Sequence, residues 1–253
     1  MLNEGDILMA QYIFRRVEKK YIISKNELNL LLDKISNHTI PDKYGECDVC
    51  NIYCDTSDFR IIRASVLKPK YKEKLRLRCY GTPTNNSKCF LELKKKYKGV
   101  VYKRRVKAEY LNALNFINYS DDKIDNCQIK DEIEYFRKIN QNPTPSVCVF
   151  YRRKAFYDKN DKNIRITFDT NLLFRDYDLD LKNGIYGEEI IPEDKVIMEI
   201  KTSGAMPFWL VNILTENNIY PTSFSKYGTA YNIILKNKLL KSTFSNGGYQ
   251  YVR

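Results

Sequence analysis

The sequence predicts an α+β fold in which an eight-stranded antiparallel β-barrel is covered on its outside by helices. Three observations lead to this prediction. The strand-like segments alternate polar and apolar residues, as antiparallel strands with two different faces do. The same segments are too polar for a parallel sheet, whose strands are buried on both faces. Their apolar faces need a covering layer, which the helix-like segments can supply.

Eight segments have the alternation and composition of strands. We place them at about 12–23, 48–55, 73–80, 88–97, 100–107, 147–156, 163–169 and 195–202. No internal repeat and no shift in composition marks a domain boundary. We therefore expect one domain over residues 1–253, with its core at about 12–236.

Capping and stop signals predict four helices between and after these strands. We place them at about 25–36 after the N-cap Ser24, near 129–139 before the stop at Asn142 to Pro145, from Pro207, and from about Lys226. The acidic, glycine-containing segment between Asp176 and Asp194 is interpreted as a surface excursion.

The composition indicates a polyanionic partner. The 253 residues include 43 Lys and Arg against 31 Asp and Glu, a formal net charge of +12. An excess of this size favours polyanions, but its sign does not identify which one. No signal-peptide pattern or membrane-length apolar run is visible, so we expect a cytoplasmic protein. The seven cysteines are an odd and scattered number, which favours reduced thiols over a disulfide framework.

Three cysteines are close enough in sequence to be considered as a metal site. Cys47, Cys50 and Cys54 supply soft ligands, but no fourth ligand is evident, and His38 lies in a predicted loop. Cys50 and Cys54 share a strand face with Ile52. We therefore interpret these cysteines as buried or half-buried thiols of a strand.

The strands become more informative when each is divided into its two faces, because successive side chains point in opposite directions. In strand after strand, basic residues collect on one face and apolar residues on the other. The charged faces carry Glu18 and Lys20; Lys74, Arg76, Arg78 and Tyr80; Glu92, Lys94 and Lys96; Lys103 and Arg105; Tyr151 and Arg153; Arg165, Thr167 and Asp169; and Glu199 and Lys201.

Two interpretations of these faces are open. They are either solvated, as in many half-buried antiparallel sheets, or directed into the lumen of a closed sheet. The lumen is favoured because the opposite faces are apolar and need the helices. Like charges in a narrow lumen repel one another, so that arrangement predicts a bound anion.

An ordered set of motifs resembles the VTC domain, a member of the CYTH-like triphosphate tunnel enzymes. The resemblance spans about Tyr12 to Leu235. It is carried by Glu18-Lys19-Lys20-Tyr21, Tyr53-Cys54-Asp55-Thr56, Lys74-Leu75-Arg76-Leu77-Arg78, Glu92-Leu93-Lys94, Lys103-Arg104-Arg105, Tyr151 to Phe156, Arg165-Ile166-Thr167-Phe168-Asp169, Glu199-Ile200-Lys201 and Ser225-Lys226.

The resemblance implies a triphosphate tunnel fold and a polyphosphate polymerase that transfers phosphoryl groups from a nucleoside triphosphate, such as ATP, to inorganic polyphosphate. It implies Glu199 as the ligand of a divalent metal, Mn²⁺ or Mg²⁺. The implied catalytic residues are Arg76, Arg78, Lys103, Arg153 and Glu199. The implied phosphate-binding residues are Lys20, Lys94, Arg105, Tyr151, Arg165, Lys201, Ser225 and Lys226. Ser225 also suits an N-cap, and helix N-termini bind phosphate.

Several alternatives stay open. A metal-dependent hydrolase of the same fold would need several carboxylates on adjacent strands, and acids are sparse on the charged faces. A non-catalytic polyanion-binding module is the second alternative. Nucleic acid is not expected, because few aromatic residues share the basic faces. Asp55 and Asp169 are candidates either for assisting a metal or for bonding the arginines. We expect a monomer or weak oligomer, with a membrane-protein partner encoded separately.

Overall fold

The computed structural model describes residues 17–67, 69–98, 100–119, 123–125 and 127–245. The first five residues of the predicted first strand lie outside these ranges.

The described strands are β1 (Val17–Ser24), β2 (Thr39–Pro41), β3 (Cys47–Asp55), β4 (Tyr71–Tyr80), β5 (Lys88–Tyr97), β6 (Val100–Glu109), β7 (Thr144–Asp158), β8 (Arg165–Arg175), β9 (Glu188–Glu189) and β10 (Lys195–Thr202). The described helices are α1 (Lys25–Ile35), α2 (Arg60–Val66), α3 (Tyr110–Tyr119), α4 (Gln128–Ile139), α5 (Phe208–Glu216) and α6 (Lys226–Ser245).

The strands form one antiparallel sheet in the order β1-β10-β8-β7-β3-β4-β5-β6, with β2 added to β7 and β9 to β8. The predicted antiparallel architecture is therefore confirmed. The sheet is curled but not closed, since no backbone pairing joins β1 to β6 within the described ranges. One reason is that the Thr222 N–H donates to the Lys20 carbonyl at 2.7 Å, which occupies part of the free edge of β1. Side chains still connect the two ends of the sheet, because Lys94 on β5 lies 3.6 Å from Glu18 on β1.

The apolar outer face of the sheet is covered by helices, as the sequence predicts. Leu75, Leu77 and Leu91 on β4 and β5 pack with α3 and α4 in one buried cluster. A second cluster joins the outer faces of β1, β8 and β10 to α1 and α5. Burial of such side chains contributes about 1.5–3 kcal/mol each before the entropy cost of folding. The charged faces of the same strands consequently point into the concavity of the curled sheet.

Helix α6 differs from the predicted outer layer, because it packs inside the concavity. Its Tyr227, Ala230 and Tyr231 form a third cluster with Val49, Val149 and other residues of the inner face. The Tyr227 hydroxyl donates to Asp55 at 2.8 Å, and the two tyrosine rings of Tyr53 and Tyr227 stack with centroids 4.6 Å apart. The inner face is thus divided into an apolar part filled by α6 and a charged part.

Local signals placed some elements correctly and missed others. The predicted N-cap Ser24 accepts from the Glu27 N–H and the Glu27 carboxylate accepts from the Ser24 N–H, a complete capping box. Helices α2 and α3 were not predicted, since α2 is only seven residues long and α3 follows β6 without a turn signal. Among the described residues, no helix has both the length and the apolarity that crossing a bilayer requires.

The segment from 176 to 194 is anchored more firmly than a surface excursion. Arg175 is fully buried and donates to the carbonyl oxygens of Asp178, Asp180 and Gly184 at 2.7–2.8 Å. Leu181 is also fully buried. A buried guanidinium needs such acceptors, so the segment wraps around Arg175.

The cysteines correct one expectation. Cys79 and Cys89 form a disulfide between β4 and β5, so the prediction of reduced thiols throughout is wrong for this pair. The reason is that both lie on the outer face of neighbouring strands, with Cα atoms 4.7 Å apart. Cys50 and Cys54 are buried thiols and Cys47 is half-buried, as predicted. Burial raises the pKa of both Cys50 and Cys54 to about 12.

Candidate functional site

The concavity of the sheet brings the predicted site residues onto one surface, which we call the inner face. Its basic side chains outnumber its acidic ones. The basic residues are Lys20, Lys74, Arg76, Arg78, Lys94, Lys103, Arg105, Arg153, Arg165, Lys201 and Lys226, and the acidic ones are Glu18, Glu92, Asp169 and Glu199. Strand alternation alone places ten of these basic residues together, while Lys226 comes from the start of α6.

Glu92 is the centre of the first charged group on the inner face. Its carboxylate is 1% exposed and lies 2.7 Å from Arg76, with Lys103 in direct contact and Arg78 at 3.8 Å. Burial opposes ionisation, but the three cations outweigh it and lower the pKa of Glu92 to about 2. Glu92 is therefore ionised and holds the guanidinium groups of β4 in position.

Two tyrosines and an asparagine complete the positioning of these arginines. Arg76 donates to the Tyr53 hydroxyl at 3.2 Å. Arg78 donates to the Asn51 carbonyl oxygen at 2.9 Å and to the Tyr151 hydroxyl at 3.0 Å. Burial raises the pKa of Tyr53, but Arg76, Arg78 and Lys74 outweigh it and bring that pKa down to about 8. Tyr151, predicted as a phosphate ligand, thus also serves as an acceptor for Arg78.

Asp169 is the centre of a second charged group. It is fully buried and accepts two hydrogen bonds from Arg153, at 2.6 and 2.8 Å, and one from Lys226 at 2.6 Å. Burial raises its pKa, but Lys226 and Arg153 together lower the pKa of Asp169 to about 2. Of the two roles considered for Asp169, this geometry matches bonding to a basic residue of the inner face. Asp55 instead accepts from the backbone N–H groups of Ile61 and Ile62 and from Tyr227.

Glu199 is the centre of a third group, formed where β1 and β10 pair. It lies 2.7 Å from Lys201, and Lys20 is directly opposite on β1. Burial raises the pKa of Glu199, but Lys201, Lys20 and Arg153 lower it well below its usual range. Burial and the neighbouring Glu199 raise the pKa of Glu18, but Lys94 and Lys20, each 3.6 Å away, together with Lys201 outweigh them and lower that pKa below its usual value.

The start of α6 lies at the border between the charged and apolar parts of the inner face. The Ser225 hydroxyl accepts from the Gly228 N–H at 3.1 Å, so the predicted N-cap is present. Lys74 donates to the same hydroxyl at 3.2 Å, and Lys20 donates to the Phe224 carbonyl oxygen at 3.0 Å. Burial lowers the pKa of Lys74 to about 8.

Two predicted ligands lie away from these groups. Arg165 bonds to Asp42 at 2.9 Å near the end of β7, and its guanidinium lies over the Tyr157 ring at 5.2 Å. Arg105 is exposed on the edge strand β6 and lies over the Phe90 ring at 4.4 Å. The structure thus collects most predicted residues centrally and leaves these two at the periphery.

The donor set around Glu199 fits a divalent cation that is held together with phosphate. Glu199 and Glu18 supply two carboxylates, and the buried Thr167 hydroxyl, opposite Glu199 on β8, has no hydrogen-bond partner among the described residues. Mg²⁺ commonly binds one or two carboxylates plus substrate phosphates and water. No group of three or more His, Cys, Asp or Glu in metal-binding proximity occurs in the described part of the chain. The cation expected here would therefore depend on phosphate oxygens for its remaining ligands.

Four residues of the inner face were not selected from the sequence. Lys74 was placed on the charged face but not chosen as a ligand, and Asn51, Tyr53 and Thr167 were not assigned roles. The alternation on β3 could have found Asn51 and Tyr53, because both alternate with the apolar Cys50, Ile52 and Cys54. The role of Tyr227 as an anchor had no sequence signal, since it depends on α6 entering the concavity.

Comparison with known proteins supports the family resemblance. A family model described as the VTC domain matches residues 15–235. Subunit 4 of the vacuolar transporter chaperone complex of Schizosaccharomyces pombe is 28% identical over 192 residues, which are 64% of this chain and 26% of that protein. The chain thus spans about a quarter of the length of this relative.

Comparison with solved structures supports the fold. A candidate adenylate cyclase from Bacillus halodurans has a TM-score of 0.53 and is 12% identical, with the match covering 83% of this chain and 95% of that one. At this identity the likeness concerns the fold alone. The fold of a curled antiparallel sheet with helices on its outer face, as expected from the sequence, is therefore shared with that protein.

Proposed function

The chain belongs to the VTC domain family, and on this premise we propose that it is a polyphosphate polymerase, which transfers the γ-phosphoryl group of ATP or another nucleoside triphosphate to a growing inorganic polyphosphate chain. One observation carries the proposal. Each of the four acids listed for the inner face is ion-paired to basic side chains, and the eleven basic residues listed with them outnumber the acids, so the inner face keeps a net positive charge. A surface of this kind suits a long polyanion more than a single metal ion.

Phosphoryl transfer depends mainly on positioning and charge neutralisation, and the inner face supplies both. A terminal oxygen of the polyphosphate chain attacks the γ-phosphorus of the nucleotide. A new P–O bond forms, the bond to the β,γ-bridging oxygen breaks, and the nucleoside diphosphate leaves with the electron pair. The attacking oxygen is already ionised, so no general base is required.

Arg76, Arg78 and Arg153 are assigned to neutralising the charge on the transferred group. Their guanidinium groups are held by Glu92, Asn51 and Asp169, so little reorganisation is needed when phosphate arrives. Arginine also binds phosphate through two parallel N–H donors. Lys20, Lys94, Lys103 and Lys201 would contact the remaining phosphates.

Glu199, with Glu18 and the Thr167 hydroxyl, is assigned to a divalent cation, Mn²⁺ or Mg²⁺. Such a cation would neutralise and align the triphosphate oxygens. Lys201 and Lys20 hold Glu199 ionised in its absence, so the carboxylate is ready to bind.

The direct test incubates the purified protein with ATP, Mn²⁺ and a short polyphosphate primer, and follows nucleoside diphosphate and chain length together. We expect one phosphate unit added to the chain for each diphosphate released. The Arg76→Gln/Arg78→Gln variant should lose about 100-fold or more in rate. The matched Arg60→Gln/Arg63→Gln variant, which removes two exposed arginines of α2, should retain the rate. Release of orthophosphate without chain growth would refute the polymerase assignment.

A triphosphate hydrolase is the second candidate, and the proximity of Glu18 to Glu199 favours it. Two carboxylates and an unsatisfied hydroxyl on adjacent strands supply part of the ligand set that a metal-dependent hydrolase needs. In the same assay it would release orthophosphate from inorganic triphosphate at a rate that the primer does not change.

The setting of the reaction is part of the proposal. We place the protein in the cytoplasm, at the face of a membrane and in contact with a membrane-protein partner. A partner is supported by the relative, whose name describes it as a subunit of a vacuolar transporter chaperone complex.

A further inference from the structure

Lysines continue beyond the charged groups of the inner face to the end of the β4–β5 hairpin that lies opposite its turn. Lys74, Lys94 and Lys103 are direct cross-strand neighbours on β4, β5 and β6. One step further out, Lys72 lies directly opposite Lys96 on the same face. We call Lys72 and Lys96, with Lys70 and Lys98 beyond them, the lysine rim.

The lysine rim is a defined surface and not a set of independent side chains. The Lys98 N–H donates to the Lys70 carbonyl oxygen at 2.9 Å, which joins the two chain segments at the rim. Lys72 donates to the Ser65 carbonyl oxygen at 3.3 Å, which fixes its direction. Lys96 is two positions beyond Lys94 on the strand, a step of about 7 Å. The rim therefore continues the cationic rows of the inner face without a gap.

Like charges directly opposite each other in a sheet are destabilising, so two successive lysine pairs require an explanation. The acid at this end of the hairpin, Glu73, lies on the outer face, where it is 3.8 Å from Lys95. No described acidic group lies within ion-pair distance of Lys96. An anion that crosses the rim would remove the repulsion.

The opposite ends of the same strands differ. There Lys88 faces Glu109 across β5 and β6. At the same end of the sheet, on the outer face of the neighbouring strand β7, Arg152 lies 3.0 Å from Asp48, and Lys154 lies 3.6 Å from Glu46. These three basic residues each have an acidic neighbour, so a polyanion gains less from them.

The position of α6 also favours the lysine rim as a binding surface for an anion. Helix α6 fills the inner face of β3, β7, β8 and β10, and its described apolar contacts include no residue of β4, β5 or β6. Its first residues meet Lys74 through Ser225. The side of the concavity next to the rim is therefore the side that α6 leaves uncovered.

We propose that the lysine rim is an extension of the phosphate-chain site, across which the part of a polyphosphate chain that exceeds the inner face leaves the protein. This inference rests on the proposed function. Single-stranded nucleic acid is the less suitable occupant, because Tyr71 and Tyr97 lie on the opposite face from Lys72 and Lys96 and cannot stack with bases along the same track.

The test measures equilibrium binding of inorganic triphosphate and of a long-chain polyphosphate of defined length to the whole protein. The Lys72→Gln/Lys96→Gln variant should bind the long chain about 3- to 10-fold more weakly and triphosphate as the wild type does. Lys96→Gln alone should give a smaller loss in the same direction. The matched Lys88→Gln/Lys107→Gln variant removes two exposed lysines from the other end of β5 and β6, and should bind both ligands normally.

Thermal unfolding tests whether the variants are folded. Lys96→Gln alone should have a Tm at or above that of the wild type because a repulsion is removed, whereas the double variant also loses the bond from Lys72 to the Ser65 carbonyl oxygen. Normal long-chain binding by both rim variants would overturn the inference, as would an equal loss in the control variant. Single-stranded RNA is titrated in parallel, and a loss confined to RNA binding would also overturn the inference. If the wild type bound neither phosphate ligand, the proposed function itself would fail, so the two failures are distinct.

Discussion

Glu92 and Glu199 are two buried carboxylates on the same inner face, and their surroundings differ in one respect. Glu92 is surrounded by Arg76, Arg78 and Lys103, with no second acid in its group. Glu199 shares its group with Glu18 and with the unsatisfied Thr167 hydroxyl. Similar burial and similarly lowered pKa values thus accompany different chemistry. Glu92 holds cations in place, whereas Glu199 is the carboxylate that we propose as the metal ligand.

The largest expected effect separates the two carboxylates by activity. Glu199→Gln should lower the turnover of ATP by about 100- to 1000-fold, because the proposed metal ligand is lost. Polyphosphate binding should stay within about threefold of the wild type, since the basic residues remain. Glu193→Gln, an exposed acid paired with Lys25, serves as the control and should change neither quantity. Unchanged turnover in Glu199→Gln would remove its assigned role.

The second-largest expected effect distinguishes Glu92 from Glu199 by their contributions to stability. Glu92→Gln should lower the free energy of unfolding by about 3 kcal/mol, because Arg76 and Arg78 lose the charge that compensates them. Urea unfolding measures this loss, and saturating polyphosphate should restore about 2–3 kcal/mol by binding the folded state. Glu132→Gln on the outer face, which loses contacts to Lys95 and Arg104, should cost less than about 1 kcal/mol. If polyphosphate did not restore stability, Glu92 would have no link to the anion site.

The smallest effect concerns pH and the lysines near Glu92. Burial lowers the pKa of Lys74 and of Lys103 to about 8, so the empty protein loses these charges as the pH rises through 8. A bound polyanion favours the protonated lysine and raises its pKa, so the complex holds more protons than the free protein above pH 8. Polyphosphate affinity should therefore fall from pH 8 to pH 10, with proton uptake on binding.

Calorimetry in buffers of different ionisation enthalpy measures that uptake. Lys74→Arg should reduce both the uptake and the fall in affinity, because arginine stays charged. Lys201→Arg, beside Glu199, should leave the profile as in the wild type. A profile that is flat in the wild type would contradict the assigned role of the lysines near Glu92.

The sequence was sufficient where local rules decide the structure. Strand alternation predicted which side chains of β4, β5, β8 and β10 share the inner face, and the cap at Ser24 was correct. It could not predict the position of α6, because the low amphipathicity of that helix leaves its packing to tertiary contacts such as Tyr227 with Asp55. The Cys79–Cys89 disulfide was missed for a related reason. It depends on the register of two strands, and a cysteine count carries no information on register.

The candidate site divides in the same way. The alternation of side chains along each strand identified the basic residues of the inner face. Which acid pairs with which basic residue depends instead on how far each side chain extends across neighbouring strands. Asp169 reaches both Arg153 and Lys226, residues 16 and 57 positions away in the chain. No local pattern contains such a contact.

The most direct test of the central claim is a crystal structure of the protein with inorganic triphosphate. The phosphate oxygens should lie within hydrogen-bonding distance of Arg76, Arg78 and Arg153, while Glu92 and Asp169 keep their basic partners. Triphosphate bound only on the outer surface, with the inner face unchanged, would contradict the assignment of the inner face as the phosphate site.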